Sequence, residues 1–449
     1  MNNIIKIKKG FDIKLDGIAE KRISSGKAPQ TYAIKPYDFL HILPKLVVSE
    51  GDTVTTGSTL FYDKNDNRLL FVSPVNGIIS EIVRGEKRAI KEIIVKTDKD
   101  LHSVAPAFNI DESSKESITE TLLKTGLWQY IRQRPYSIIA KPEDKPKAIF
   151  IKGFDTAPLA PDYDFILKDK FQYLQKGIDI LKKLTEGNVY YSLHQKLNNT
   201  LNYNHLKNTE IKLFSGPHPS GNIGVQIHHI NPVNKGEKLW FTDATDLIII
   251  GKLFTDKVLD FSKTIALTGP CIKNPAYYNV YSGACIDELI INNTEEGDLR
   301  YISGNVLTGT KIEKTGFIGA YANQITVIKE GKYYEFAGWA MPGIDKFSFS
   351  KTFLSKLIPR KHYDFDTNLH GGHRAFVITG LYEKVLPMDI YPLYLIKAIL
   401  AEDIDAMENL GIYEVDEEDF ALCEYVCPSK SDLQEIIRKG LDLMIKEEG

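Results

Sequence analysis

Short, largely apolar runs at residues 45–48, 69–72 and 77–83 are punctuated by polar glycine turns at Glu50-Gly51-Asp52 and Thr56-Gly57-Ser58. Strand-length runs bounded by such turns predict that residues 1–100 form a β domain. A connecting segment, 101–145, ends in the proline-punctuated stretch Lys141-Pro142-Glu143-Asp144-Lys145-Pro146. The apolar run 148–154 then predicts a buried strand. Phe171, Leu174, Ile178, Leu181 and Leu184 recur at helical spacing, and strand-like runs follow at 189–193, 211–214, 225–230 and 247–250, which makes 146–255 an α/β layer. Short strands expected at 264–267, 288–291 and 325–328 make 256–335 a small mixed β domain. In 336–449 helical spacing returns at Leu395, Ile396, Ile399 and Leu400, and again at Leu433, Ile436, Ile437, Leu441 and Met444, with Ser431 as the expected cap.

Length and charge narrow the class. A chain of 449 residues, 43% of them hydrophobic, exceeds a single core and divides into several domains. Its 56 Lys and Arg nearly balance 59 Asp and Glu, and no basic stripe is interleaved with aromatics, so no nucleic-acid footprint is present. No run approaches the ~18 apolar residues that span a bilayer, and residues 1–10 lack a signal-peptide core, so any membrane attachment is expected to be peripheral. Four cysteines do not make a disulfide framework in a chain this long and suit a reducing compartment. Between Lys397 and Lys430 there is no Lys or Arg, whereas Glu402, Asp403, Asp405, Glu408, Glu414, Asp416, Glu417, Glu418, Asp419 and Glu424 crowd together. A solvated acidic face is expected there, with docking onto a basic partner as the alternative. The opposite sign prevails at Lys6, Lys8, Lys9, Lys14, Lys21 and Arg22, a segment suited to anionic lipid.

Few residues carry recognisable chemistry. Ser215-Gly216-Pro217-His218-Pro219-Ser220-Gly221-Asn222-Ile223-Gly224 follows a predicted strand and is the candidate ligand or interface loop, with Gly216, His218, Asn222 and Gly224 as its candidate residues. It lacks the G-x-G-x-x-G spacing of a dinucleotide fingerprint, and no Walker A lysine, Gly-x-Ser-x-Gly elbow or His-Glu-x-x-His occurs. Cys423-Glu424-Tyr425-Val426-Cys427-Pro428 reproduces the end of a ferredoxin cluster motif, but Cys271 and Cys285 lie far upstream and the remaining ligand spacing is missing. One helical turn apart, Cys423 and Cys427 are therefore expected to be buried apolar side chains. His228 and His229, in an apparent strand, would face opposite ways, and His370-Gly371-Gly372-His373 lacks further ligands for zinc. No metal site is expected.

Two resemblances extend this reading. Glu50-Gly51-Asp52-Thr53-Val54-Thr55-Thr56-Gly57 and Ser73-Pro74-Val75-Asn76-Gly77 resemble the β hammerhead of biotinyl and lipoyl carriers, yet the position of the carrier lysine holds Asp66, with Lys64 nearby. Across the whole chain, Lys8-Lys9-Gly10, the 215–222 loop, Phe336-Ala337-Gly338-Trp339, Pro342-Gly343-Ile344-Asp345-Lys346-Phe347-Ser348, His370-Gly371-Gly372-His373-Arg374-Ala375, Leu386-Pro387-Met388-Asp389-Ile390 and Glu417-Glu418-Asp419-Phe420-Ala421-Leu422-Cys423 resemble the NqrA family of the sodium-translocating NADH:quinone reductases. The resemblance implies an α+β multidomain chain: a biotinyl/lipoyl-like hammerhead, a Rossmann-like domain, a β-grasp (SLBB-like) domain and a C-terminal helical domain. It implies a peripheral subunit on the cytoplasmic face of the bacterial inner membrane, in a six-subunit complex that oxidises NADH, reduces quinone and exports Na+. FAD, FMN and iron–sulfur groups belong to partner subunits, the membrane subunit is the principal partner, and ubiquinone or menaquinone is this chain's only candidate ligand. Cys423 and Cys427 then read as the remnant of a lost cluster motif. The family continues this motif as Cys-Pro-Gly-Lys, where this chain has Pro428-Ser429-Lys430, so the turn there is expected to shift. The alternatives are an iron–sulfur electron carrier of the Rnf type and a lysine-modified carrier.

Overall fold

A computed structural model describes residues 4–97, 110–197, 203–333, 336, 338, 341–344, 346–357 and 362–448. Ala337, Trp339 and Asp345 of the family motifs lie outside the described residues.

The short strands of the first hundred residues form two facing antiparallel sheets, Thr31–Ile34, Ile90–Lys96, Gly77–Arg84 and Thr53–Val54 against Pro44–Leu46, Thr59–Asp63 and Leu70–Val72. Leu60, Phe61, Phe71, Ile79, Ile93 and Val95 fill the space between them, with the Phe61 and Phe71 rings stacked at 4.4 Å. At the hairpin where a carrier lysine would project, Arg68 Nε donates to Asp66 Oδ1 at 2.8 Å and its guanidinium also bridges to Glu143. That tip is tied to the linker before the next domain.

The second sheet runs Ile4–Lys6, Glu210–Ser215, Asn188–His194, Ala148–Lys152, Leu239–Asp243, Arg132–Arg134; all neighbours are parallel except the last pair. Strand alternation divides its residues between two cores. Ile149 and Ile151 face the helices Phe171–Leu184 and Ala244–Asp256, while Ala148 and Phe150 face the helix Ile223–Ile230 and the C-terminal helices. Burial on both faces explains why the Ala148–Lys152 strand reads as a continuous apolar run.

Three expected strands are helical. Residues 247–250 lie within Ala244–Asp256, residues 225–230 within Ile223–Ile230, and 288–291 overlap the single turn Asp287–Ile290. A short apolar run carries no decisive period, and local capping decides: Asp243 Oδ1 accepts the Thr245 amide at 2.8 Å and starts the first of these helices.

The third sheet orders Thr310–Ile312, Leu299–Ser303, Gln324–Lys329, Ser262–Thr268, Ala276–Tyr281 and Glu20–Ile23. The N-terminal segment therefore supplies an edge strand to each of two sheets built mainly from later residues, rather than extending the first β domain. Beyond it, helices begin at Tyr382–Val385, not at 336; among the described residues before that point only Leu354–Leu357 forms a helical turn. Pro392–Leu400, Ile404–Asn409, Glu417–Val426 and Leu433–Glu448 complete the helical region. The Asp432 carbonyl, not that of Ser431, accepts the amide of Ile436, so the last helix starts one residue later than expected. Among the described residues, no helix is long and apolar enough to cross a membrane.

Candidate functional site

In an open parallel sheet, ligands collect in the crevice beyond the carboxyl ends of the strands, where backbone amides at helix N-termini face outward. Here that edge is formed by the residues after Lys152, Ser215 and Asp243. The candidate loop 215–224 crosses it and is laced to the N-terminal segment. Ile7 N donates to Ser215 O and Phe11 N to His218 O, both at 2.7 Å, while Asp12 Oδ1 accepts the His218 amide at 2.8 Å. Gly10 and Gly216 both have φ of +133°, and a Cβ would stand 2.1 Å from His218 O at the first and 2.2 Å from Ile7 O at the second. Glycine at both positions lets the two backbones touch.

His218 is 4% exposed, and burial, opposed by the nearby Asp155 charge, pulls its pKa down to about 4. Its Nδ1 lies 3.1 Å from Thr156 Oγ1, which accepts the Gly221 amide at 2.9 Å. Asn222 Nδ2 donates to the Glu418 carbonyl at 3.0 Å. A Cβ on Gly224 would stand 2.2 Å from a carboxylate oxygen of Asp419, which is 1% exposed. The Asp419 carboxyl thus packs directly on the first turn of the Ile223–Ile230 helix.

The acidic run divides: Glu402, Asp403 and Asp405 stand exposed as a solvated face, whereas the 416–419 stretch turns inward. Asp416 and Asp419 complete a capping box at the head of Glu417–Val426, and both point at Arg134, which is 1% exposed. Its guanidinium is 3.4 Å from Asp416 Oδ2, 3.4 Å from Glu418 Oε1 and 3.3 Å from Asp419 Oδ2. Arg438 bonds Asp416 Oδ1 at 3.0 Å and Glu417 Oε2 at 2.6 Å. Four carboxylates thus share two guanidiniums, with Ser137 donating to Asp416. Burial, together with neighbouring carboxylates, raises Glu417 to about 8 and Asp419 to about 7. For Asp416 burial pushes upward too, but Arg134, the Glu417 side chain, Arg438 and Ser137 outweigh it and hold the carboxyl well below its usual range. Sequence reasoning missed Arg134, because nothing around a lone arginine in a short edge strand marks it as a hub.

Cys423 and Cys427 are fully buried, and Tyr382 lies between them: its hydroxyl is 3.0 Å from Cys427 Sγ and its carbonyl 3.9 Å from Cys423 Sγ. Burial raises the Cys423 thiol far above its ordinary value, which keeps it protonated. Cys271 and Cys285 belong to the third sheet's core region, and among the described residues no group of three His, Cys, Asp or Glu is placed to hold a metal ion. Ser429, in the position of the family glycine, accepts the Arg374 amide at 2.9 Å through its carbonyl and donates its hydroxyl to Ala375 O at 2.8 Å; the positive φ falls on Lys430. His228, on a helix rather than a strand, accepts the Asp389 amide at Nε2 and so donates from Nδ1 to Glu414, 2.7 Å away. His229 donates to the Pro387 carbonyl at 2.9 Å. Both fasten the helical region to the sheet. His373 is exposed, and His370 lies 3.7 Å from Asp366.

Fold and site define a mixed α/β multidomain protein in which the head of the acidic Glu417–Val426 helix packs on the parallel sheet's Arg134 and on Gly224. Family models match along the chain: the NqrA N-terminal barrel-sandwich hybrid domain over 5–98, the NqrA second alpha/beta domain over 113–259 and the NQRA C-terminal domain over 264–314. The NqrA subunit of the Na(+)-translocating NADH-quinone reductase from Yersinia pseudotuberculosis serotype I is 38% identical over 99% of this chain and 100% of its own length. The Pasteurella multocida protein of the same name is 36% identical over the same shares. Among solved structures, a chain of the NAD+-reducing [NiFe]-hydrogenase in its H2-reduced state matches at a TM-score of 0.39 and 10% identity, over 74% of this chain and 61% of that one, a likeness too remote to inform the site. The chain belongs to the NqrA family of Na(+)-translocating NADH-quinone reductase subunits. The Rnf-type reading is not favoured.

Proposed function

We propose that this chain is a peripheral, non-redox component of a sodium-pumping NADH:quinone reductase, held at the cytoplasmic face of the membrane, where it positions its partner subunits. One packing contact carries this reading, in which the crevice is sealed from within: Asp419 lies against Gly224 in the first turn of the Ile223–Ile230 helix, and Arg134 holds it there. In this reading the parallel sheet is a Rossmann-like domain without its nucleotide, the third sheet a β-grasp-like domain, and the C-terminal helices the remnant of a cluster-bearing region. FAD, FMN and iron–sulfur groups reside on partner subunits, and ubiquinone or menaquinone is the ligand class left open to this chain.

The test is genetic. Deleting the gene for this chain is expected to abolish Na+-stimulated NADH:quinone reductase activity in isolated membranes, and the intact chain supplied in trans is expected to restore it. Unchanged activity in the deletion strain would overturn the assignment.

A further inference from the structure

Two segments distant in sequence form one surface. Phe347 and Phe349 turn inward and pack their rings 5.4 Å and 5.1 Å from Phe11, and Tyr363 and Phe365 close around Phe347 at 5.3 Å and 5.6 Å. The backbone of Tyr363 pairs with Lys14 and Asp16, so the loop is fixed to the N-terminal segment. Its outer side is apolar: Met341 is 55% exposed, Ile344 48%, Leu354 50% and Leu357 76%. Lys351 and Lys356 flank these side chains, and Lys8, Lys9 and Lys14 stand exposed on the neighbouring segment. None of the five lysines forms an ion pair with a described residue. Between Met341 and Leu357 the sequence holds one acidic residue, Asp345, outside the described residues, against Lys346, Lys351 and Lys356. The carboxylates of the adjoining segments are engaged elsewhere, Asp12 by the His218 amide, Asp16 by the Gly17 amide and Asp364 by Lys329.

We infer that this surface, the described residues 341–344 and 346–357 with Lys8, Lys9 and Lys14, lies against an anionic lipid bilayer. The inference deepens the proposed peripheral placement and rests on it. Exposed leucines held out by an aromatic anchor gain nothing from the folded core, whereas the headgroup boundary covers them and meets the lysine ammonium groups with phosphate. The charge separates lipid from a protein partner. Lysine is depleted at the cores of protein–protein interfaces, but exposed apolar side chains beside lysines that pair with no described carboxylate match a negatively charged membrane surface.

The purified full-length chain should co-sediment with vesicles containing phosphatidylglycerol, release with added salt, and leave vesicles of pure phosphatidylcholine unbound. Replacing Lys351→Gln and Lys356→Gln together should weaken binding about 25-fold, at about fivefold per lysine near the surface. A second variant, Leu354→Ser with Leu357→Ser, should weaken it at constant charge, and an unchanged circular dichroism spectrum and melting point would certify the fold of both. Equal binding to neutral vesicles, absent binding, or variants that bind like the wild type would overturn the inference. So would variants that keep vesicle binding but no longer co-purify with the membrane subunit, which would assign the surface to a protein. The vesicle assay contains no other protein, so its failure is separate from failure of the gene-deletion test.

Discussion

Arg134 illustrates how much one side chain can hold. Fully removed from water, its guanidinium is stable only because Asp416, Glu418 and Asp419 surround it, and those carboxylates depend on it in turn. Arg134→Ala is expected to cost about 3–5 kcal/mol in urea denaturation, since it strands buried charge. Asp419→Asn should cost markedly less, because burial already raises that carboxyl to about 7 and an amide resembles its neutral form. His218 sets a separate pH limit. Its folded pKa, about 4, lies below the unfolded value, so its contribution is complete above about pH 6.5 and is lost as pH falls toward 4. Up to roughly 3 kcal/mol is involved, and His218→Gln should flatten the stability profile in that window. Glu417 acts in the opposite direction: raised to about 8, it favours the folded state most below its unfolded value near 4.5, and that preference fades as pH rises through 8.

At the scale of elements, the contact between the Ile223–Ile230 helix and the head of Glu417–Val426 joins the sheet to the helical region. Gly224 is the point of closest approach, and any side chain there meets the Asp419 carboxylate. Gly224→Ala should therefore destabilise by about 1–3 kcal/mol, as overpacking does. Pairing it with Asp419→Ala should return part of that loss, and a double-mutant cycle in thermal unfolding would expose the coupling. Additive losses would mean that the two helices do not meet there. The glycine was visible in the candidate loop from sequence, but its purpose was not. The same loop was expected to lead into a strand, and it leads into a helix whose N-terminus an internal acid occupies.

For the whole molecule, the N-terminal segment behaves as a seam. It contributes Ile4–Lys6 to one sheet and Glu20–Ile23 to another, and packs against the 215–224 loop on the way. If the crevice of the parallel sheet is closed from within, as proposed, the purified chain is expected to carry no flavin absorbance and no stoichiometric iron. Its intact mass should equal that of the unmodified polypeptide, since the hairpin tip at Asp66 is bound by Arg68 rather than free to swing. Bound flavin or iron in the isolated chain would contradict the sealed-crevice reading.

The family, the turn-bounded strands of the first β domain, the buried strand at Ala148–Lys152 and the amphipathic helices at Phe171–Leu184 and Leu433–Glu448 were all legible in the chain, because each rests on helical spacing, on an apolar run between turn residues or on a contiguous motif. The helical state of 225–230 and 247–250 was not, since a short apolar run fits a buried strand and a buried helix equally well until its cap and neighbours are placed. Nor could the acidic run show which way it faces. Asp416 and Asp419 lie more than 280 residues from Arg134, and only the tertiary fold, by bringing an edge strand beneath a helix N-terminus, turned those charges from solvent toward a buried guanidinium. Local patterns determined what each segment is; long-range burial of charge decided what the segments do to one another, because the cost of an unpaired ion in the interior can be met only by a partner that the fold delivers.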